Sequence, residues 1–207
     1  MIKLDLKFSK QIQGTFSPTE LNLMLVFQVN CPGCFLHAFP QMNSLYQKYH
    51  EQVSFFGLST AFEDFEWNTA DHTQLLVEKG ELIGETKRAF SKSAIPGFSL
   101  PFPILFDSII SKNDLLNETS LQSATQQLVT INKTPVTEIE QTKLAIKAYF
   151  SHFDQVGYTF IRNWLRGTPS FILFDKELTV LSRWFGEMPQ NKVEEIIATH
   201  LHNKTDK

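Results

Sequence analysis

The chain's only two cysteines, Cys31 and Cys34, stand two residues apart in "LMLVFQVNCPGCF" (residues 23–35), and this stretch constrains the fold more than any other. Before it, "LNLMLVFQV" (21–29) is a continuous apolar run ending at turn-prone Asn30, which fits a strand buried on both faces. After it, the pattern becomes helical from Phe35 to His50: Leu36, Phe39, Met42, Leu45 and Tyr49 return every three or four residues. Pro40 lies inside that helix and is expected to kink it, because it has no N–H and crowds the carbonyl four residues back. A strand running through CPGC into a helix needs a sheet with helices packed against it.

The rest of the chain supplies that sheet. "VSFFGLS" (53–59) reads as a second buried strand and "FPILFD" (102–107) as a third. Between them, a helix is expected from about Thr69 to Ser91, with Leu75, Leu76, Leu82, Ile83 and Phe90 as a stripe interrupted by Gly80, and then a loop through "AIPGFSLPFP". "TPSFILFD" (168–175), a turn at "KEL" and "TVLSRWFG" (179–186) make a hairpin signal, followed by a helix from about Pro189 to Leu201 carrying Val193, Ile196 and Ile197. Residues 1–20, with turns at Gly14 and near Pro18, suggest an edge hairpin. Residues 111–152 differ in kind. They are rich in Gln, Thr, Asn, Lys and Glu, with a capping-box pattern at "TEIE" (137–140) and helical spacing through Ile139, Thr142, Ile146, Tyr149 and Phe153. We read them as a helical insertion. The fold expected is α/β, one domain over residues 1–207, with parallel βαβ units, an antiparallel hairpin and a mixed central sheet flanked by helices.

The cysteine spacing has a definite chemical use. Cys31 falls near a helix N-terminus, where unpaired N–H groups and the helix dipole stabilise a thiolate. Cys34, one turn inside, is placed to attack a mixed disulfide formed at Cys31. Pro32 fits an early helical position, where its missing N–H would lack a partner anyway, and Gly33 adds no bulk that would shield Cys31. As a zinc clip the pair gives two ligands where a structural site needs four; there is no second C-x-x-C, and the six histidines form no H-x₃₋₅-H pair. Redox chemistry is the better reading, with no resident metal. Thr168–Pro169 opens a strand, where proline is tolerated; an ordinary strand-start proline and a cis bend are both open at this stage.

A net charge of −3 and scattered Lys and Arg argue against a nucleic-acid partner or an anionic membrane surface. The 19 phenylalanines fall in strand-like and helix-like patterns and read as core. The apolar runs are too short to span a bilayer, and the charged N-terminus has no signal-peptide core. A cytoplasmic protein is expected if Met1 is the native start, a periplasmic or secreted one if a leader was removed. The acidic stretch "FEDFEWNTADH" (62–72) is read as a solvated loop rather than a proton acceptor for Cys34, and His37 as a helix-surface bystander.

On "LMLVFQVNCPGCF", Pro40, "VSFFGLS", "FPILFD" and "GTPSFILFDKELTVLSRWFG", the chain resembles the thioredoxin-like superfamily, in the branch of TlpA-like thiol–disulfide reductases and peroxiredoxin-related proteins. The resemblance covers about residues 20–107 and 165–201. It implies a thioredoxin-like fold, Cys31 as attacking and Cys34 as resolving thiol, Thr168–Pro169 as the cis-proline loop that pairs with substrate, and no cofactor. The partners it implies are a protein disulfide or dithiol substrate and an external reductant. The departures are specific. Asn30 stands where a tryptophan usually precedes the first cysteine, Leu25 where a buried carboxylate usually sits, and Gln28 where a peroxidase needs threonine. Pro40 stands six residues after Cys34 instead of five. The other class of function is a redox-inactive or redox-gated module docking a partner through the insertion; a third is carriage of a soft metal ion by the two thiols.

Overall fold

The structure, a computed structural model, describes residues 2–91 and 99–205. Along the chain run strands β1 (Phe8–Gln13) and β2 (Leu21–Phe27), helix α1 (Phe39–Tyr49), strand β3 (Ser54–Ser59), helices α2 (Ala70–Lys79) and α3 (Gly84–Ala89), and strand β4 (Ile104–Asp107). Then come β5 (Ile109–Ser111), helices α4 (Lys112–Leu116), α5 (Glu118–Asn132) and α6 (Ile139–Phe150), strand β6 (Gln155–Gly157) and helix α7 (Tyr158–Arg162). The hairpin β7 (Ser170–Asp175) and β8 (Val180–Phe185) and helix α8 (Gln190–Thr205) complete the order.

Six strands form one mixed sheet in the order β1-β4-β3-β2-β7-β8. The central strands β2, β3 and β4 are parallel, so their C-terminal ends share one edge of the sheet. Strand β1 runs antiparallel to β4, β7 to β2, and β8 to β7. This is the mixed α/β architecture expected from the sequence.

Strand β2 shows why its sequence is apolar throughout. Successive side chains alternate faces. Leu21, Leu23, Leu25 and Phe27 meet Phe39, Met42 and Leu45 of α1 and Val193 and Ile197 of α8. Met24 and Val26 face the other way, toward Leu121 of α5, Ile146 and Phe150 of α6 and Phe160 of α7. Each fully buried Leu or Phe of this strand contributes roughly 1.5–3 kcal/mol. The polar stretch 111–152 is therefore the cover of one sheet face, its buried residues being few but well placed.

Four expectations need correction. The N-terminal segment does not pair with itself. Strand β1 adds to the open edge of β4, while Lys3 bridges Thr179 near the opposite edge. The helix expected over 69–91 is two helices, because Gly80, at φ 63°, takes the left-handed conformation that ends α2. The capping box at 137–140 does not form: residues 136–138 make a 3₁₀ turn and α6 starts at Ile139 without a side-chain cap. In α6 the deeply buried pair is Ile146 and Phe150, whereas Tyr149 is exposed. The first half of the "AIPGFSLPFP" loop, residues 94–98, lies outside the described residues.

Candidate functional site

Strand β2 delivers Asn30 and Cys31 to the C-terminal edge of the sheet, and a helical turn begins at Pro32. Residues Cys34–Ala38 form a π-turn, closed by the Phe39 N–H donating to the Cys34 carbonyl. A π-turn holds one residue more than an α-turn. The extra residue between Cys34 and Pro40 is absorbed there, and Pro40 sits in the first turn of α1, where a missing N–H costs little. The same turn rotates Leu36 outward, to 54% exposure, and gives its expected core place to Phe35.

Both cysteines are free thiols, Cys34 fully buried and Cys31 half-buried in front of it. The Cys34 N–H donates to the Cys31 carbonyl at 3.0 Å, closing the CPGC turn. The Cys31 thiol is lowered from the ordinary value to about 6, first by the hydrogen bond from the Cys34 thiol. The Thr168 hydroxyl and the backbone N–H groups of Cys34 and Gly33 add to this, and partial burial opposes it. Cys34 is pushed well up, first by burial and then by its hydrogen bond to Cys31 and that neighbour's charge. The sequence reading credits the helix N-terminus with stabilising the thiolate; its amides do contribute, but the neighbouring thiol is the larger influence. A Cβ on Gly33 would meet nothing within 4 Å, so the bridge between the cysteines borders open space.

The segment before β7 lies against this pair. The Cys31 thiol donates to the Thr168 carbonyl at 3.6 Å, and the Thr168–Pro169 peptide is cis. The Thr168 hydroxyl has Gln28 Oε1 at 3.1 Å as a second acceptor that competes with Cys31 for its one proton, and the Gly186 N–H donates to the Pro169 carbonyl at 2.8 Å. The structure thus brings Cys31, Pro32, Gly33, Cys34, Thr168 and Pro169 together.

Sequence reasoning missed the polar frame beneath them. Asn30 donates from its side-chain amide to Asp64 Oδ2 at 2.9 Å and accepts from the Glu85 N–H at 2.6 Å. Helix α3 has Ile83 at its N-cap, which offers no side-chain acceptor, so Asn30 caps that helix from 55 positions away. Gly84, at φ 47°, allows the approach: a Cβ there would stand 2.1 Å from Asn30 Oδ1. The Asn30 N–H in turn donates to Asn68 Oδ1, and the Thr86 hydroxyl to the Val29 carbonyl. In the acidic stretch 62–72, Asp64 is thus a brace of the loop; His37, on the helix surface, lies 3.6 Å from Glu187.

A second buried acid marks the same sheet edge at the end of β4. Asp107 accepts from the Thr60 hydroxyl at 2.8 Å and from the Thr159 and Phe160 N–H groups at 2.9 and 3.2 Å. Burial pushes its carboxyl up to about 6 despite those donors. Among the described residues, no group of three or more His, Cys, Asp or Glu is arranged to hold a metal ion, and no helix is long and apolar enough to cross a membrane.

The chain matches no protein-family model and no curated protein. Its fold does have solved counterparts. It is similar to a thiol-disulfide isomerase from Corynebacterium glutamicum, at 18% identity and a TM-score of 0.57, with 96% of this chain and 95% of that one covered. It is equally similar to a thioredoxin-like superfamily protein, at 18% identity and a TM-score of 0.59 over 97% of both chains. The fold is thioredoxin-like.

Proposed function

We propose, on the premise of the thioredoxin-like fold, that this protein is a thiol–disulfide oxidoreductase acting on protein substrates and working as a reductase. The observation that carries the reading is the asymmetry of the cysteine pair: a half-exposed thiol lowered to about 6 in front of a fully buried one held protonated. At neutral pH the first is largely thiolate and the second is in reserve.

The Cys31 thiolate attacks one sulfur of a substrate disulfide; a Cys31–substrate bond forms and the other substrate sulfur leaves as thiolate. Once Cys31 is bonded, it no longer bears the charge and hydrogen bond that help hold the Cys34 proton, so Cys34 ionises more easily. Its proton passes to the departing thiolate. Cys34 then displaces the substrate from Cys31, leaving a Cys31–Cys34 disulfide and a reduced substrate, one sulfur a thiol and the other a thiolate that takes its proton from water. Two electrons have moved to the substrate, and an external dithiol returns them. Thr168 and Pro169 serve as the strand edge on which an extended substrate segment pairs. No described residue accepts a hydrogen bond from the Thr168 N–H, which suits that role. Residues 1–207 act as one domain, since the insertion covers a face of the sheet that carries the cysteines.

Dithiothreitol-dependent reduction of insulin tests the reading. Precipitation of the insulin B chain should accelerate with the wild-type protein and return to background in Cys31→Ser. Cys34→Ser should accumulate a mixed disulfide in place of turning over. Equal precipitation with and without the wild type would instead favour a binding module.

A further inference from the structure

We propose that the cleft beside the Thr168–Pro169 loop is a subsite for an acidic side chain, so that the protein selects substrate segments carrying Asp or Glu close to the reacting cysteine. The identity of the occupant as a disulfide-bearing segment rests on the oxidoreductase reading; the charge preference does not.

The cleft has a volume of about 500 Å³ and lies on both sides of the loop in sequence, with Arg166 before it, Ser170 after it, and Arg183, Trp184 and Phe185 from the neighbouring edge strand. Leu165 and Trp164 complete the wall, and Trp164 is fixed: the indole N–H donates to Gln127 Oε1 at 3.2 Å and the ring stacks on Phe150 with centroids 5.6 Å apart. The two arginines are what give it character. Arg183 donates to the Asn163 carbonyl at 2.8 Å, which holds the guanidinium without neutralising it. Arg166 is exposed, and no described residue pairs with it. Neither has a carboxylate partner among the described residues, although Asp and Glu outnumber Lys and Arg in the chain, 22 to 19. Glu187, the acid nearest Phe185 in sequence, lies against His37 instead.

Position ties this charge to the chemistry. Thr168 touches Cys31 at 3.6 Å, and Arg166 is two residues away along the chain, at most roughly 7 Å of extended backbone. A strand laid along the loop rises about 3.3 Å per residue, so a side chain two or three residues from its cysteine reaches the arginines. A guanidinium fork with free donors matches a carboxylate. The exposed ring of Phe185, at 52%, offers apolar contact to the stem of that side chain.

The test is the rate at which Cys31 of the Cys34→Ser protein attacks short peptides whose single cysteine is disulfide-bonded to thionitrobenzoate. Release of the coloured thiolate reports each attack, and the activated disulfide reacts with any accessible thiol, so a rate is always measured. Peptides carry Glu, Gln or Lys at one to three residues on either side of the cysteine, and rates are normalised to those with free dithiothreitol. The expected result is a Glu peptide that reacts about fivefold or more faster than its Lys counterpart. That preference should shrink in high salt, fall in Arg166→Ala, where Arg183 alone remains, and be lost or reversed in Arg166→Glu. Equal rates for the Glu and Lys peptides, or a Glu preference that survives Arg166→Glu, would overturn the subsite. The insulin assay on the wild type reports separately on the oxidoreductase reading: inertness there combined with a Glu preference here would remove the first and keep the second.

Discussion

Cys34 and Asp107 are both buried acids at the same edge of the sheet, one beyond the end of strand β2 and the other the last residue of parallel strand β4, and burial makes each harder to ionise. Their surroundings differ in one respect that decides their use. Asp107 is surrounded by donors that belong to the frame, the Thr60 hydroxyl and two backbone amides at the start of α7, and these bonds tie the segment that follows the insertion back to the sheet. Cys34 has as its strongest partner another acid, Cys31, whose protonation and bonding are free to change. A buried acid held by fixed donors is a staple; one facing a half-exposed acid is half of a reaction. Burial and a displaced pKa alone do not separate the two.

The largest difference between these acids should appear in alkylation. At pH 7, iodoacetamide should modify Cys31 of the reduced protein at least about a hundredfold faster than Cys34, read by mass spectrometry of the digested protein. The Cys31 rate should level off above a midpoint near pH 6 and fall about tenfold per pH unit below it. The sign for stability follows. Because the folded-state value lies below the ordinary thiol value near 9, the reduced protein gains this contribution in full above pH 9 and loses it as pH falls through 6. Two cysteines that alkylate alike would erase the contrast.

Next in size is Asp107→Ala, which leaves two buried N–H groups and a hydroxyl without their acceptor. Chemical denaturation should show a loss of about 3–5 kcal/mol. Its pH dependence runs opposite to that of Cys31. With the folded carboxyl at about 6, above its ordinary value near 4, folding takes up a proton between those limits. The protonation-linked part of Asp107's contribution is full below pH 4 and is lost as pH rises through 6, while its hydrogen bonds remain. The wild type should therefore lose stability relative to Asp107→Asn across that window, and a parallel pair of curves would show the carboxylate to be ordinary.

The smallest effect belongs to Asn30→Ala, which removes the bonds to Asp64 and Glu85 and should cost about 1–3 kcal/mol. Since Asn30 is not among the groups that lower the Cys31 thiol, the alkylation midpoint should stay near 6 in this variant. A midpoint that moves toward 9 would show that the frame, and not the thiol neighbour, sets the reactivity.

The sheet was legible because burial on two faces leaves a nearly continuous apolar run: every residue of "LNLMLVF" is 0% exposed, and the Asn22 amide donates to the Thr19 carbonyl and, across the sheet, to the Phe174 carbonyl. The cysteine pair was legible from its spacing and context, and the six-residue offset of Pro40 from Cys34 was visible in the sequence, but not the π-turn that absorbs it. What escaped were contacts between distant, locally unremarkable residues. Asn30 looked like a mere departure from tryptophan, yet it caps a helix 55 positions downstream. Asp107 looked like the end of a strand. In 111–152, sparse leucines hid the fact that a few of them, with Phe150, cover half the sheet. Periodicity reports which face is apolar, and says nothing of which buried polar atoms will meet.

The measurement that tests the central claim most directly is equilibration of the wild-type protein in glutathione redox buffers, followed by trapping of free thiols. A single reversible two-electron transition at the reducing end of the scale, roughly −270 mV as in thioredoxin, is the predicted result. A potential near roughly −120 mV would reverse the direction of electron flow, and two thiols that stay free at every buffer ratio would contradict the account outright.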